Sequence, residues 1–335
     1  MAGTGKAHLR DASKAIVRVE DLVVEFPIAR GKLKVNAVSG ISLDILEGET
    51  LGLVGESGCG KSTTGRAIMQ LPRPTSGSVI LDGQELTSMP SDKMRELRPK
   101  MQMIFQDPIS SLNPRRQVID IVAEPLVIWK KGSKAEIEAR VREVLETVGI
   151  DPDQAGNRRP HEFSGGQCQR ICIARAVVMD PKVIICDEPV SALDVSVQAQ
   201  ILNLLEDMKH RYGLTLVFIA HDLAVVKNIS DRVCVMYLGK MCEVGPPDEL
   251  YSNPAHPYTR ALIESIPEPD PSVVLDETKV LEGDLPSPIA PPSGCRFRTR
   301  CPLAQERCAA EEPQLRKVGE GHFVACHYPL VEPVG

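Results

Sequence analysis

The chain of 335 residues is poor in aromatic side chains, with a single tryptophan and an aromatic content of 4%. Stacking platforms for exposed nucleic-acid bases need such side chains. A general nucleic-acid surface also needs a basic excess, whereas the formal net charge here is −6. Long apolar runs are lacking too, because a stretch such as Leu214–Ala220 is far shorter than the roughly 20 residues that cross a bilayer. The first residues contain no apolar core of the kind that a signal peptide needs. We therefore expect a cytoplasmic protein that binds no nucleic acid and reaches a membrane only through a partner.

Between about residues 16 and 241, strand-like and helix-like segments alternate, which predicts an α/β fold with a central sheet. Short, buried strands are predicted from apolar and β-branched composition, and helices from apolar residues at helical spacing. Ser133 and Glu136 fit a capping box at the start of one helix. The predicted strands are Thr50–Val54, Val183–Cys186 and Thr215–Ala220, and the predicted helices include Lys61–Leu71 and Gln198–Arg211.

Proline becomes frequent after about position 245. The segment Pro246–Pro292 is dense in proline, which excludes long helices and predicts a connector that runs along the surface. The last segment, Gly294–Gly335, is small and rich in cysteine.

A glycine-rich loop, Gly55–Ser62 (GESGCGKS), follows the predicted strand Thr50–Val54 and opens a predicted helix. It satisfies the pattern GxxxxGK[ST] in the context that this pattern requires. The glycines let backbone N–H groups point at phosphate oxygens, and the helix N-terminus adds partial positive charge. Lys61 is predicted to reach the β- and γ-phosphates, and the Ser62 hydroxyl to ligate Mg²⁺. The predicted ATP-binding residues here are Gly55, Ser57, Gly58, Cys59, Gly60, Lys61, Ser62 and Thr63.

A second motif supplies the acids that phosphoryl chemistry needs. Val183–Cys186 is an apolar strand that runs directly into two carboxylates, Asp187 and Glu188. At the end of a buried strand, Asp187 is placed to hold a magnesium ion. Glu188, one residue further, is placed to polarise the attacking water as a general base.

A third motif narrows the class of ATPase. The segment Phe163–Arg170 (FSGGQCQR) lies just upstream of the second motif, with Ser164 23 residues before Asp187. It resembles the signature motif of the ATP-binding-cassette ATPases, with Phe in place of Leu. In that family the signature residues serve the nucleotide held by the opposite subunit. The resemblance therefore implies a dimer, in which Ser164, Gly165, Gly166 and Gln167 complete the ATP site of the other chain.

Further positions match this family, and the resemblance implies a role for each. Gln106 is similar to the glutamine that contacts the metal-bound water, and His221 to the histidine that contacts the γ-phosphate. Asp194 fits the aspartate that communicates across the dimer, and Phe26 fits the aromatic residue that stacks on adenine. The implied catalytic residues are Glu188, His221 and Gln106, with Mg²⁺ held by Ser62, Gln106 and Asp187.

The family resemblance also implies the architecture. The expected fold is α/β, a P-loop ATPase core (RecA-like) with an antiparallel β subdomain, a helical signature subdomain and a small Cys-rich C-terminal extension. We predict a nucleotide-binding domain over residues 16–250, with its helical subdomain at about 107–170, and a C-terminal oligopeptide-transporter-type domain over 251–335.

Two proline-rich segments point to a subfamily. Asn253–Thr259 (NPAHPYT) and Leu285–Pro288 (LPSP) are similar to segments of dipeptide and oligopeptide permease ATP-binding subunits. This resemblance implies a peripheral subunit at the cytoplasmic face of the inner membrane that powers peptide import. The implied partners are a second, homologous ATPase subunit in a heterodimer, two transmembrane permease subunits and an extracytoplasmic peptide-binding protein.

Two groups of alternatives stay open at this stage. Nickel and glutathione importers are close relatives of the peptide permeases, so the same motor could serve those cargoes. A soluble, non-transport cassette ATPase would commonly carry tandem motor domains or a long coiled coil, which this sequence lacks. A P-loop kinase for small molecules would lack the signature at Ser164–Gln167.

Four of the ten cysteines lie near the C-terminus, spaced C-x5-C-x6-C-x17-C. In a reducing compartment, four such thiols favour a metal centre over disulfides. The spacing is looser than the CxxC pairs of zinc ribbons and differs from the compact ferredoxin pattern, so zinc and unligated thiols stay open. Resemblance to the peptide-permease tail implies a [4Fe–4S] cluster with zinc as the alternative, held by Cys295, Cys301, Cys308 and Cys326.

Overall fold

The computed structural model describes residues 5–266 and 283–332. The chain divides into two compact units, Met1–Met89 with Ile219–Gly335 and Pro90–Phe218. The strands are β1 (Ala15–Ile28), β2 (Leu33–Leu46), β3 (Thr50–Val54), β4 (Ser76–Leu81), β5 (Gln84–Glu85), β6 (Met101–Ile104), β7 (Val183–Asp187), β8 (Thr215–Ala220), β9 (Arg232–Tyr237), β10 (Lys240–Gly245), β11 (Arg316–Gly319) and β12 (His322–Val324). The helices are α1 (Lys61–Ile68), α2 (Ser91–Leu97), α3 (Pro108–Ser111), α4 (Val118–Ile128), α5 (Lys134–Thr147), α6 (Pro152–Ala155), α7 (Gly165–Val177), α8 (Val195–Tyr212), α9 (Leu223–Ile229), α10 (Pro247–Ser252), α11 (Pro257–Glu264) and α12 (Glu306–Ala310). Within the described ranges, every helix is too short or too polar to span a bilayer.

The first unit contains an antiparallel sheet with the strand order β2-β1-β4-β5. The long strand β1 pairs on both sides, so that Val17 lies opposite Ile45 of β2 and opposite Leu81 of β4. All three side chains are buried. Alternate residues of β1 therefore contribute to the core, as expected for a strand with one solvated face.

The remaining strands of the first unit follow the order β11-β12-β10-β9-β3. Strand β3 is parallel to β9, whereas β10 is antiparallel to both β9 and β12. All five residues of β3 are buried, which agrees with the strand predicted at Thr50–Val54. The glycine-rich loop begins at the end of this buried strand, so the sheet fixes one end of the loop.

Helix α1 is shorter than predicted. It begins at Lys61, as expected, but ends at Ile68 instead of Leu71. Gln70 has a φ of 58°, in the left-handed region that a right-handed helix cannot contain. Leu71 precedes Pro72, and the residue before a proline is driven away from helical geometry.

The second unit carries the strand order β8-β7-β6, with most of β8 in this unit. Strands β6 and β7 are parallel, with Met103 opposite Ile185. Strand β7 is buried throughout, as predicted from its apolar sequence. The predicted helix Gln198–Arg211 lies within α8, which buries the apolar face expected from the sequence. The capping box of Ser133 and Glu136 is present at the start of α5.

The described part of the proline-rich segment contains two short helices. Pro247 and Pro257 are each the first residue of their helix, α10 and α11. Proline is well tolerated there because the first N–H of a helix has no intrahelical partner. Residues 267–282, the middle part of the predicted connector, lie outside the described ranges.

Candidate active site

The glycine-rich loop contains two glycines in left-handed backbone conformations. Gly58 and Gly60 have φ values of 79° and 104°, a region that other residues rarely adopt. A Cβ atom at Gly60 would lie 2.3 Å from the carbonyl oxygen of Ala37, so only glycine fits there. Gly60 is also the N-cap of α1, whose first N–H groups and dipole favour an anion. These features suit the phosphate-binding role that the sequence predicts for the loop.

Lys61 is held inside this loop. Its side chain is buried, and its ammonium group donates hydrogen bonds to the carbonyl oxygens of Gly55 (2.7 Å) and Glu56 (3.0 Å). The neighbouring Cys59 is fully buried, and this burial raises the pKa of its thiol. Ser62 and Thr63 follow in the first turn of α1 and are half-buried. The predicted ATP-binding residues of this segment thus form one continuous loop and helix start.

The two predicted acids lie in different environments at the end of β7. Asp187 is the last residue of the strand and is fully buried. Glu188 is half-buried, and its φ of 48° places its backbone in the left-handed region. A non-glycine residue held in this region costs about 1–3 kcal/mol, and such residues are concentrated at functional sites. The geometry separates a buried carboxylate from one that solvent can reach.

Gln106 and Glu188 contact each other directly. The side-chain nitrogen of Gln106 donates a 3.0 Å hydrogen bond to a carboxylate oxygen of Glu188. Because the amide nitrogen of Gln106 donates to Glu188, the amide oxygen is the atom of this side chain that can ligate a metal. Carboxylate and amide oxygens are ligands that Mg²⁺ prefers, so Asp187 and Gln106 of the second unit carry donor types that suit this ion.

The signature segment is the N-terminus of a helix. Ser164 is the N-cap of α7, and its hydroxyl accepts from the Gln167 N–H at 3.3 Å. The Gln167 side chain accepts in return from the Ser164 N–H at 2.9 Å. A Cβ atom at Gly166 would lie 2.6 Å from a methyl carbon of Val197, which explains the glycine there. The reciprocal cap stabilises the helix start and fixes the segment that the sequence assigns to nucleotide binding.

The remaining predicted residues lie at exposed positions. Asp194 is the N-cap of α8, and His221 lies between the end of β8 and the start of α9. Phe26 lies on β1, with 39% of its surface exposed. The first unit carries Phe26, residues 55–63 and His221, and the second carries Gln106, Asp187, Glu188, Ser164, Gly165, Gly166, Gln167 and Asp194.

The four C-terminal cysteines line one small cavity, but they do not form a metal site. Cys295, Cys301, Cys308 and Cys326 are free thiols around a cavity of about 10 Å³, room for about one water molecule. Burial raises the pKa of Cys295 to about 11 and that of Cys326 to about 12. Across residues 5–266 and 283–332, no group of three or more His, Cys, Asp or Glu side chains is arranged to hold a metal ion. The prediction of an iron–sulfur cluster is therefore wrong, and the zinc alternative fails on the same ground.

Sequence reasoning missed two residues that contact the phosphate loop. The Arg300 guanidinium pairs with the Glu56 carboxylate, and the Tyr258 hydroxyl accepts from the Glu56 N–H. Glu56 lies inside the recognised loop motif, but its position there is open to any residue type. Arg300 lies 244 positions away, and nothing in the local pattern around it indicates this contact.

Two family descriptions match different parts of the chain. Residues 38–191 match the family described as ABC transporter, and residues 242–308 match the oligopeptide/dipeptide transporter C-terminal region. Over 328 residues the chain is 54% identical to the oligopeptide transport ATP-binding protein OppF of Escherichia coli, covering 94% of this chain and 97% of that protein. It is 51% identical to a putative peptide import ATP-binding protein of Brucella ovis, covering 93% and 97%.

Solved structures support the fold. The ATP-binding cassette MJ0796, in a dimeric post-hydrolysis state bound to ADP and Pi, has a TM-score of 0.63 and 29% identity. The match covers 69% of this chain and 98% of that one. CbiO1 from Clostridium perfringens, part of an ABC transporter complex, also has a TM-score of 0.63, with 31% identity over 72% and 92% of the two chains. The predicted cassette fold with mixed α/β sheets is thus confirmed. The chain belongs to the oligopeptide and dipeptide branch of the ATP-binding-cassette transporter ATPases.

Proposed function

We propose that this chain is the ATP-hydrolysing subunit that powers uptake of oligopeptides across the cytoplasmic membrane. The observation that carries this assignment is the 54% identity to an oligopeptide transport ATP-binding protein over 94% of the chain. That identity extends through the C-terminal region, where residues 242–308 match a family of oligopeptide and dipeptide transporters. We assign residues 16–250 to the motor, with a helical subdomain at about 107–170, and residues 251–335 to the transporter-specific part.

The phosphate loop binds ATP in this proposal. The N–H groups at the start of α1 and the ammonium group of Lys61 provide positive electrostatic potential for the phosphates. Ser62, Asp187 and Gln106 hold Mg²⁺, which neutralises phosphate charge when bound. Thr63 contributes a further hydroxyl in the first turn of the helix, and Phe26 packs against the adenine ring.

Hydrolysis uses residues of the second unit together with His221. Glu188 accepts a proton from the attacking water, and the 3.0 Å hydrogen bond from Gln106 orients its carboxylate. A solvent-reachable carboxylate suits this role better than the fully buried Asp187. His221 contacts the γ-phosphate and stabilises the charge that develops as the bond to ADP breaks.

A second ATPase subunit completes each site. The capped N-terminus of α7, with Ser164 and Gln167, binds the nucleotide held by the partner, and Asp194 communicates between the two sites. The ATPase dimer closes when it binds ATP and opens after hydrolysis. Because ATP binds the closed state more tightly than the open state, this cycle drives the motion. We propose a related but different chain as the partner, giving a heterodimer.

The permease subunits dock near Gln106. Large apolar side chains are exposed three residues after Gln106 and at the end of α4, and exposed apolar surface is common where proteins bind partners. These side chains are Ile109 (59%), Val127 (59%) and Ile128 (51%). Docking on two transmembrane subunits would hold the chain peripherally at the cytoplasmic face, with an extracytoplasmic binding protein delivering the peptide.

Growth on defined peptides tests the cargo. A strain that lacks this chain should fail to use di- and tripeptides as the source of a required amino acid. The wild-type chain should restore growth, and Lys61→Ala should not, because it removes the phosphate-binding ammonium group. Normal peptide use in the deletion strain, together with loss of nickel or glutathione uptake, would assign the motor to those cargoes. If the chain is isolated from native membranes and no membrane subunits copurify with it, that result would favour a soluble cassette ATPase.

A further inference from the structure

Glu56 in the phosphate loop is held at three points. Its N–H donates to the hydroxyl oxygen of Tyr258 at 2.8 Å, and its carbonyl oxygen accepts from Lys61 at 3.0 Å. Its carboxylate accepts two hydrogen bonds from the Arg300 guanidinium, at 2.7 and 3.1 Å. Two of these three contacts come from the C-terminal region, so that region fixes one peptide of the loop.

The residues that hold Glu56 are themselves rigidly placed. Tyr258 is fully buried, and its ring lies 4.8 Å from the ring of Tyr237 and 5.3 Å from that of Phe297, between ring centroids. The Arg300 side chain is only 6% exposed, and its guanidinium carbon lies 5.9 Å from the Tyr237 ring centroid. A buried aromatic cluster therefore supports both contacts, and neither depends on a freely rotating surface side chain.

A second C-terminal segment lies against the same loop. The carbonyl oxygen of Pro288 accepts from the backbone and side-chain N–H groups of Asn36, at 2.9 and 3.0 Å. Leu285 reaches the loop itself, because its methyl carbon is 3.8 Å from the position of a Cβ atom built on Gly58. Both proline-rich segments that mark the peptide-transporter branch therefore contact this part of the structure. The segment with Tyr258 contacts the phosphate loop, and the segment Leu285–Pro288 contacts the loop and strand β2.

The Arg300 guanidinium also neutralises the negative charge of Glu56 in the phosphate loop. The Glu56 carboxylate belongs to a loop that must hold the negative phosphates of ATP. Like charges that lie close together and are partly shielded from water repel each other. A bidentate guanidinium neutralises this carboxylate and keeps it in one direction.

We propose that Arg300 and Tyr258 are positioning residues for the phosphate loop, acting through Glu56, so that the C-terminal region sets the affinity for ATP. The proposal rests on the proposed function only in naming ATP as the ligand. A loop that is already ordered loses less conformational freedom when it binds phosphate. Loss of either contact should therefore weaken nucleotide binding, while the chemistry at Glu188 is left intact.

The test measures MgATP binding by titration calorimetry on the full chain, with Glu188→Gln present throughout to prevent hydrolysis. Arg300→Gln should raise the dissociation constant about tenfold, as expected for loss of a charge-assisted pair. Tyr258→Phe should raise it about threefold, because the Glu56 N–H loses its acceptor. The double variant Glu56→Gln/Arg300→Gln should bind no more weakly than Arg300→Gln alone, because both substitutions break the same contact. The matched control is Arg307→Gln, which breaks an exposed pair with Glu311 in the same region and should change nothing.

Two results would overturn the proposal. One is a folded Arg300→Gln chain with unaltered MgATP affinity. The other is a double variant that binds much more weakly than Arg300→Gln alone, which would mean that the two residues act separately and not through their shared contact. If Arg300→Gln does not fold, Arg300→Lys keeps the charge without the bidentate geometry, and unaltered affinity in that chain would overturn the proposal equally.

Turnover in the assembled transporter, without Glu188→Gln, provides an independent readout. Arg300→Gln should raise the KM for ATP and leave kcat within about twofold, because binding is weakened and not the chemical step. A lower kcat with unaltered KM would contradict the positioning role. If the wild-type chain binds MgATP but its transporter takes up no peptide, the proposed function fails while the binding ratios still decide this inference.

Discussion

The side-chain amide of Gln106 donates a 3.0 Å hydrogen bond to the carboxylate of Glu188, joining residues 82 positions apart in the sequence. Gln106 follows β6 and Glu188 follows β7, and these two strands are parallel neighbours. Because the carboxyl ends of parallel strands meet at one edge of a sheet, the two side chains converge there. The contact places the proposed base beside the residue that is expected to contact the metal-bound water.

Replacing Glu188 by Gln should separate binding from hydrolysis. We expect ATP turnover to fall at least about 100-fold, the scale of a lost general base, because the amide cannot accept the proton. MgATP binding should persist, since the phosphate loop is unchanged. Phosphate release by the assembled transporter and nucleotide titration measure the two effects. Glu138→Gln, at an exposed position on α5, is the matched control, and full turnover in Glu188→Gln would refute the assignment.

Two similar capping boxes allow the effect of a lost cap on folding stability to be separated from its effect on ATP turnover. Ser164 and Ser133 cap α7 and α5 with similar geometry, their hydroxyls accepting at 3.3 and 3.4 Å. Ser164→Ala and Ser133→Ala should each lower the free energy of unfolding by about 1 kcal/mol. Only Ser164→Ala should also reduce ATP turnover, because only that cap is proposed to face a nucleotide. Urea unfolding and turnover assays check both effects, and equal turnover in the two variants would argue against the signature role.

Acid should destabilise the first unit through His256. This buried ring accepts the Tyr258 N–H at Nδ1, and burial lowers its pKa to about 4, with Glu243 opposing the shift. Because the folded state binds this proton less readily than the unfolded state, its contribution to stability is present above pH 6.5 and is lost as the pH falls towards 4. The total loss is roughly 3 kcal/mol.

His256→Asn removes the titrating group and keeps a side chain that can cap α11. The stability of this variant should therefore depend less on pH between 6.5 and 4 than that of the wild type, as measured by urea unfolding at each pH. Equal slopes for the two chains would show that His256 is not responsible.

Local patterns predicted much of the fold. The strand Thr50–Val54 was predicted from its apolar run, and the helix cap at Ser133 from residues three positions apart. The end of α1 was misplaced because Gln70 adopts a left-handed conformation that composition does not reveal. Patterns within a few neighbouring residues therefore predict where strands and helices lie, but not where each of them ends.

Contacts between distant residues were not accessible from the sequence. The Glu56–Arg300 pair joins positions 244 apart, and its formation depends on how the C-terminal region folds back onto the loop. The cysteine spacing was compatible with a metal centre, yet the four thiols enclose a cavity of only about 10 Å³. In both cases the contacts depend on tertiary packing, which the spacing of residues along the chain does not reveal.

Uptake into proteoliposomes tests the central assignment most directly. The transporter assembled with this chain should accumulate a labelled oligopeptide only when ATP is present on the side of the ATPase. Glu188→Gln should abolish that accumulation, and nickel ions or glutathione should not be taken up. ATP-dependent uptake of nickel or glutathione without peptide, or peptide uptake that survives Glu188→Gln, would contradict the assignment of this chain as the motor of an oligopeptide importer.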